Sequence, residues 1–397
     1  MNAPLRIAVV AACPFPLARG TPVRILRMAE ALAGRGHEVH VVTYHLGTGE
    51  VASGVRVHRI RKLRFYNKLD PGPSYRKLAL VDPLLVLLLR RLLREMPFDV
   101  IHAHHYEGAM VAAAARVGRR VPMIYDAHTL LMTELPFYSL GLPERVKRSA
   151  GAWMDGWIPK LADHTVCVTE TIRDKLVGEI GLDAGRVSVL PNGVEFEAFD
   201  PAPHAAHDGN GSPLLMFTGN LAEYQGIDLM LQAFQLVLER IPGTRLLIAS
   251  DTPFEPYESM AKELGIRGQI DAVRSPPFSG LPALLARADV ALNPRVDCDG
   301  VPVKLLNYMA AGRAVVSFST SAPGVVHGET GWLATSGDVA SFADGIVTLL
   351  QDRELGRHLG QAARRFVGDN YRWPLVAERS ESLYRKLIAA AGKQAWT

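Results

Sequence analysis

At 397 residues the chain is too long for a single ordinary core and suits two domains of roughly 100–200 residues each. Its composition, 48% hydrophobic and 21% charged without a low-complexity tract, excludes disorder, and a net charge of only +4 gives no general attraction to nucleic acid. Three widely spaced cysteines, Cys13, Cys167 and Cys298, argue against a disulfide framework or a zinc site and suit a reducing cytoplasm.

The first apolar run, Leu5 to Ala12, is short and reads as a buried strand rather than the core of a signal peptide. After it, strand and helix signals alternate: the helix VRILRMAEALAGRG, the strands EVHVVTY and RVHRI, a leucine-rich helix, DVIHAH, a small-residue helix through Ala115, and PMIYDAH. HTVCVTE, the helix TIRDKLVGEI and RVSVLPN close the first half. Continuous Val and Ile runs mark strands covered on both faces, so a parallel sheet is predicted. PAPHAAHDGNGS, between Asp200 and Ser212, has no periodicity and reads as a linker. Beyond it LLMFTGN, IDLMLQAFQLVLERI, TRLLIAS, ADVALNP, VKLLNYMAAG and AVVSFS repeat the α/β pattern, followed by helices to Tyr371. A last helix from Pro374 to about Ala391 is expected to pack on the first domain. The predicted division is 1–200, 201–373 and 374–397.

The apolar run Leu84 to Leu89 is cut by Arg90 and Arg91, far short of the roughly 20 residues a membrane span requires. Arg56 to Arg94 nevertheless carries eleven Lys or Arg against two acids, Asp70 and Asp82. Two readings use the same amphipathicity: a face resting on an anionic bilayer, or a solvated loop followed by a core helix.

In open parallel sheets ligands gather at strand carboxyl ends. The first such loop, CPFPLARGTPVR, lacks GxGxxG, which disfavours a dinucleotide; Gly20 permits close backbone approach and Pro22 suits a first helical turn. His102, His104 and His105 cluster in DVIHAHHYEG, but strand alternation keeps the three from converging, so no metal is expected. His128 ends a strand where a hydroxyl of donor or acceptor could be met, with Asp126 and Glu134 as nearby acids. In FTGNLAEYQG, Gly219 and the amides after it could face a phosphate. CDGVPVKLLNYMAAG combines Gly300, Pro302 opening a helix, and Lys304 in its first turn, a set able to hold a diphosphate without metal. Asp299 precedes it, and Asn307 lies one turn further on, placed to bond ribose hydroxyls.

With GHEVHVVT, DVIHAHH, YDAHT, VLPNGVEFEAF, FTGN and GVPVKLLNYMAAGRAVVS in this order, nearly the whole chain resembles family 4 of the retaining glycosyltransferases. The resemblance implies a GT-B fold, two Rossmann-like domains facing across a cleft, with the C-terminal helix crossing back to the first. It further implies transfer of a hexose or N-acetylhexosamine from a UDP or GDP sugar to a glycan, lipid-linked or small-molecule acceptor, as in polysaccharide biosynthesis. Such enzymes retain configuration and use no metal or cofactor. His128, Lys304 and Asp299 would serve the reaction; Gly20, Gly219, Asn220, Gln225, Gly300, Val301, Pro302 and Asn307 would hold the donor. The expected location is the cytoplasm or the inner membrane face. The family's two glutamates eight positions apart are here Asp299 and Asn307, and its Arg and Lys after the glycine turn are Asn220 and Gln225. Lys304, with Arg19, Arg24 or Arg295, is expected to compensate. An epimerase on the same fold and a non-catalytic sugar-nucleotide-binding subunit are the alternatives.

Overall fold

The computed structural model describes residues 3–17, 20–69, 72, 74, 76–138, 141–199, 211–297 and 302–394. The chain forms two compact units, Met1–Gly193 with Trp373–Thr397, and Val194–Arg372. Both are Rossmann-like α/β units.

In the first unit the elements run β1 (Arg6–Ala11), α1 (Gly20–Gly34), β2 (Glu38–Thr43), β3 (Val55–Arg59), α2 (Asp82–Glu95), β4 (Val100–His104), α3 (His105–Ala115) and β5 (Met123–Ala127). There follow the single turn α4 (Leu131–Glu134), α5 (Glu144–Trp157), β6 (His164–Cys167), α6 (Glu170–Asp174) and β7 (Val187–Val189). Among the described residues the strands form one parallel sheet ordered β3-β2-β1-β4-β5-β6-β7. The strand period of two explains why β1 is apolar from Ile7 onward: Ile7, Val9 and Ala11 pack into the layer beneath α1, while Ala8 and Val10 join the leucines of α2 on the other face.

The second unit carries β8 (Leu214–Thr218), α7 (Ile227–Arg240), β9 (Arg245–Ala249), α8 (Glu258–Glu263), β10 (Ile270–Val273), α9 (Leu281–Ala286) and β11 (Val290–Asn293). It continues with α10 (Val303–Ala310), β12 (Ala314–Phe318), β13 (Trp332–Ala334), α11 (Val339–Gln351) and α12 (Arg353–Asn370). Its parallel sheet is ordered β10-β9-β8-β11-β12-β13. Again alternate residues, Leu215 and Phe217 against Met216, enter different layers.

The last helix, α13 (Trp373–Gln394), packs on α1, where Trp373, Val376, Ala377 and Tyr384 join Ile25, Met28 and Leu32. Gly193 lets the chain pass the Trp373 ring, since a Cβ there would lie 2.3 Å from it. The structure divides the chain at Gly193 rather than at residue 200: Val194 donates its N–H to the Tyr371 carbonyl at 2.8 Å, and Phe199 is buried with Met309 and Val367. The expected linker lies, through residue 210, outside the described residues.

The leucine helix sets Leu85, Leu89, Leu92 and Leu93 into the core, yet Leu78 and Leu87 stand about 60% exposed. No helix among the described residues is long and apolar enough to cross a membrane.

Candidate functional site

Each sheet has one place where sequence-distant strands become neighbours, β1 beside β4 and β8 beside β11. There the loops leave in opposite directions and open a crevice at the carboxyl ends. The described residues singled out in the sequence lie at or beside these two places.

In the first unit, Asp126 at the end of β5 is fully buried and receives the guanidinium of Arg24 at 3.0 and 3.2 Å. Arg24 also donates to the carbonyls of Leu190 and Pro191 and to Asn192 Oδ1. That engagement corrects the expectation that Arg24 could reach a donor diphosphate: its N–H groups are spent within the core. Burial opposes the charge on Asp126, but Arg24 first and His128 next hold its carboxyl well below the usual range.

The histidines depart from expectation in one respect. His102 and His104 converge with Asp126, their ligand atoms lying within 4.8 Å of one another, so three metal-type side chains do meet. The residues fit a metal poorly, because both Asp126 oxygens are taken by Arg24 and His102 Nδ1 lies 2.6 Å from the Tyr384 hydroxyl. The guanidinium already supplies the positive charge a cation would bring.

His128 is held at both ring nitrogens, by Thr21 Oγ1 at 3.0 Å and His104 Nδ1 at 3.1 Å. Burial lowers its pKa, so it is a neutral, oriented imidazole. Gly20 opens α1 with φ 44°, a left-handed conformation that favours glycine, and a Cβ there would meet nothing within 4 Å. Gly20, Thr21, His104 and His105 border a cavity of about 300 Å³ within this unit.

That cavity contains an ionic chain the sequence did not disclose. Lys77 pairs with Glu107, which bonds His105 Nδ1 at 2.7 Å, and His105 Nε2 lies 3.1 Å from Glu134. Thr129 and Tyr138 donate to Glu134 as well. His105 is the one non-glycine among the described residues with positive φ, 62°, a cost of order 1–3 kcal/mol tolerated because α3 must begin directly from β4. Asp155 of α5 accepts the N–H groups of Leu131 and Met132, both at 2.9 Å, and so fixes the turn that carries Glu134.

Burial alone would discharge His105, but Glu134 and Glu107 outweigh it and raise its pKa to about 10. Burial likewise opposes both carboxylates, yet Lys77 and His105 hold Glu107, and His105 holds Glu134, at about 2. The folded pKa of His105 lies above its unfolded 6.5, so its stabilisation is complete below about pH 6.5 and is lost as pH rises through about 10. The carboxylates contribute above about pH 4.5, and that contribution is lost as pH falls through about 2. The melting temperature is therefore expected to fall between pH 7 and pH 10, and His105→Gln to flatten this decline; equal slopes in both proteins would remove His105 as its cause.

In the second unit, β8 ends in Gly219 with φ 131°. Gly226, φ 69°, starts α7 so close to β11 that a Cβ would lie 2.2 Å from the Pro294 carbonyl oxygen. Only glycine lets these two loops meet. Lys304, in the first turn of α10, donates to Gln225 Oε1 at 2.6 Å, lies over the Phe217 ring at 4.1 Å, and runs its stem 3.8 Å from where a Gly219 Cβ would stand. Asn220 Oδ1 receives the Gln225 amide and the Ala222 N–H, each at 3.3 Å. Asn220 and Gln225 therefore order the turn and aim Lys304. Pro302 precedes α10, whose first-turn amides have no helical partners. Asn307 faces inward, its Oδ1 buried with no hydrogen-bond partner among the described residues. Asp299, Gly300, Val301 and Arg19 lie outside the described residues. Arg295 bonds the Asp297 carbonyl and stacks on Tyr224.

Two Rossmann-like parallel-sheet units with polar groups at their switch points are the architecture of the GT-B glycosyltransferases, which solved structures similar to this chain share. Residues 19–193 match the Glycosyl transferase 4-like domain and residues 212–352 the Glycosyl transferases group 1 domain, and the chain belongs to this family. D-inositol 3-phosphate glycosyltransferase of Nocardia farcinica is 28% identical over 405 residues, spanning 94% of this chain and 88% of the relative. Sucrose-phosphate synthase from Thermosynechococcus elongatus shares the fold with a TM-score of 0.78 at 18% identity, over 97% of this chain and 100% of that one. Anabaena HepE in complex with UDP and glucose gives 0.71 at 15% identity, over 96% and 99%.

Proposed function

We propose that this glycosyltransferase moves a hexose or N-acetylhexosamine from a UDP or GDP sugar, with retention and without a metal, to a glycan, lipid-linked or small-molecule acceptor. One observation carries the donor assignment: the Lys304 ammonium is fixed by Gln225 between the Gly219 turn and the start of α10, at the switch point of the second sheet. A cation and oriented amides there can bind a diphosphate and stabilise the charge that develops as it leaves. UDP is the donor nucleotide to test first, since the HepE structure holds it. The acceptor hydroxyl is assigned to the cavity bounded by Lys77, His105, Glu107 and Glu134. His128, a neutral imidazole, would meet the donor sugar by exchanging its Thr21 contact for a sugar hydroxyl, and the leaving diphosphate takes the acceptor proton on the same face.

The test is to rank UDP and GDP sugars by thermal stabilisation of the purified chain, then follow transfer and product anomer by NMR with and without EDTA. Retained configuration, unaffected by chelation, is expected. Donor isomerised without acceptor would replace transfer by epimerase chemistry, and donor binding without turnover would make the chain a non-catalytic subunit.

The 56–94 face is assigned to an anionic bilayer at the inner side of the membrane, because exposed Leu78 and Leu87 stand beside exposed Arg76, Arg91 and Arg94. The apolar side chains would enter the interface and the arginines meet phosphates. Liposome flotation is expected to require anionic lipid and weaken between 0.05 and 0.5 M salt, on the order of the screening change. Flotation indifferent to both would set the proposal aside.

A further inference from the structure

The amino ends of β5, β6 and β7 hold a second concavity that the transfer reaction does not use. Its volume is about 1030 Å³, and Arg116, Arg119, Arg120, Lys160 and Arg186 line it against one carboxylate, Asp163. The local excess of four positive charges equals the formal net charge of the whole chain. Because the sheet is parallel, this basin lies a strand length, roughly 15 Å, from the carboxyl ends where His104 and His128 stand.

Part of the charge has a structural explanation. Parallel strands bring helix C-termini to this end, and their free carbonyls attract cations. Arg119 donates to the Leu93 carbonyl in the last turn of α2 at 2.7 Å, Arg116 to the Leu161 carbonyl at 2.8 Å, and Arg186 to the Ala162 carbonyl. Arg116 also pairs with Asp163. Arg120 and Lys160 have no such duty: both are exposed on the rim, and neither makes a hydrogen bond or ion pair among the described residues. The anchored arginines leave a prepositioned positive wall, and Val117, Leu387, Ala390 and Ala391 supply an apolar floor. A second sign of the field is His164 at the start of β6, whose pKa is lowered to about 4 by burial first and then by Lys386 and Arg186.

We propose that this basin binds a phosphate-bearing organic anion at a site separate from the donor and acceptor. The uncommitted Arg120 and Lys160, beside the anchored arginines that line the same hollow, match phosphate oxygens, and the apolar floor has room for the rest of such a molecule. The source is either a free phosphorylated metabolite or a lipid headgroup.

The test uses the full chain carrying Lys304→Ala, which silences the proposed donor site, titrated with inorganic pyrophosphate by calorimetry. Saturable binding is expected, and adding Arg120→Ala and Lys160→Ala should weaken it at least tenfold without changing the melting temperature. Pyrophosphate should also shift the His164 titration upward in NMR, which a purely structural basic cluster would not do. Flotation with phosphatidylglycerol vesicles that depends on Arg120 and Lys160 would assign the lipid source, and pyrophosphate binding without such flotation the free metabolite. Pyrophosphate and vesicle affinities that ignore both substitutions would overturn the site.

Discussion

Lys304→Ala is expected to lower kcat/KM by about 100- to 1000-fold, the loss typical when one charge-stabilising donor leaves a site. Most of the loss should fall on kcat, because the diphosphate gains charge as the glycosidic bond breaks. Lys304→Gln is the informative companion, as it can still reach Gln225 but brings no charge; activity matching the alanine variant would assign the effect to the ammonium. Lys304→Arg should rescue incompletely, since a planar guanidinium cannot occupy the compact position between Gln225 and Phe217. Gln225→Ala should cost less, about tenfold, because it only frees Lys304 from its positioning partner. Turnover by Lys304→Ala within threefold of the parent, as a rough bound, would end the donor-site assignment.

Arg24→Met is expected to destabilise the first unit by about 3–5 kcal/mol, the penalty for leaving a buried carboxylate without its cation. That corresponds to a fall of roughly 6–20 °C in melting temperature. Asp126 would then keep only imidazoles, His102, His104 and His128, as partners, and none is a permanent cation. Adding Asp126→Leu should recover part of the loss by removing the unpaired charge. Recovery cannot be complete, because His102 Nε2 and His104 Nδ1 both turn toward the Asp126 carboxylate. Melting curves of the two single variants and the double variant check this directly, and an Arg24→Met midpoint within about 2 °C of the parent would contradict it.

What the sequence disclosed follows from what pattern can carry. Strands buried on both faces announce themselves by apolar runs, so β1, β2, β5, β8 and β11 were legible, as were His128 after β5, Gly219 after β8 and Lys304 in the first turn of α10. The helix α5 was not. Gly151 and Asp155 are its buried residues, and a Cβ on Gly151 would lie 2.5 Å from the Leu131 backbone. It docks by close backbone approach and a buried carboxylate, neither of which leaves a periodic apolar stripe. β10 and β13 were missed because they are short strands at the sheet edges.

The charged side chains were the harder part. Arg24 resembled a candidate for phosphate, and only the fold shows that Asp126, 102 positions away, consumes it. Lys77, Glu107 and Glu134 form one chain through His105, although no local spacing relates them. Alternation along β4 separated His102 and His104 from His105 but could not bring Asp126 from the neighbouring strand beside them.

The return of the last helix to the first unit has a consequence for biosynthesis. Tyr384 is fully buried and its hydroxyl meets His102, which in turn meets Asp126. The interior of the first unit is therefore closed by residues that follow the whole second unit in sequence, whereas Val194–Arg372 is one uninterrupted stretch. On the ribosome the second unit can complete its core before the first, reversing the order of emergence. Until α13 arrives, the apolar layer that it shares with Ile25, Met28 and Leu32 is incomplete, so the nascent first unit carries apolar surface that its own later residues must cover.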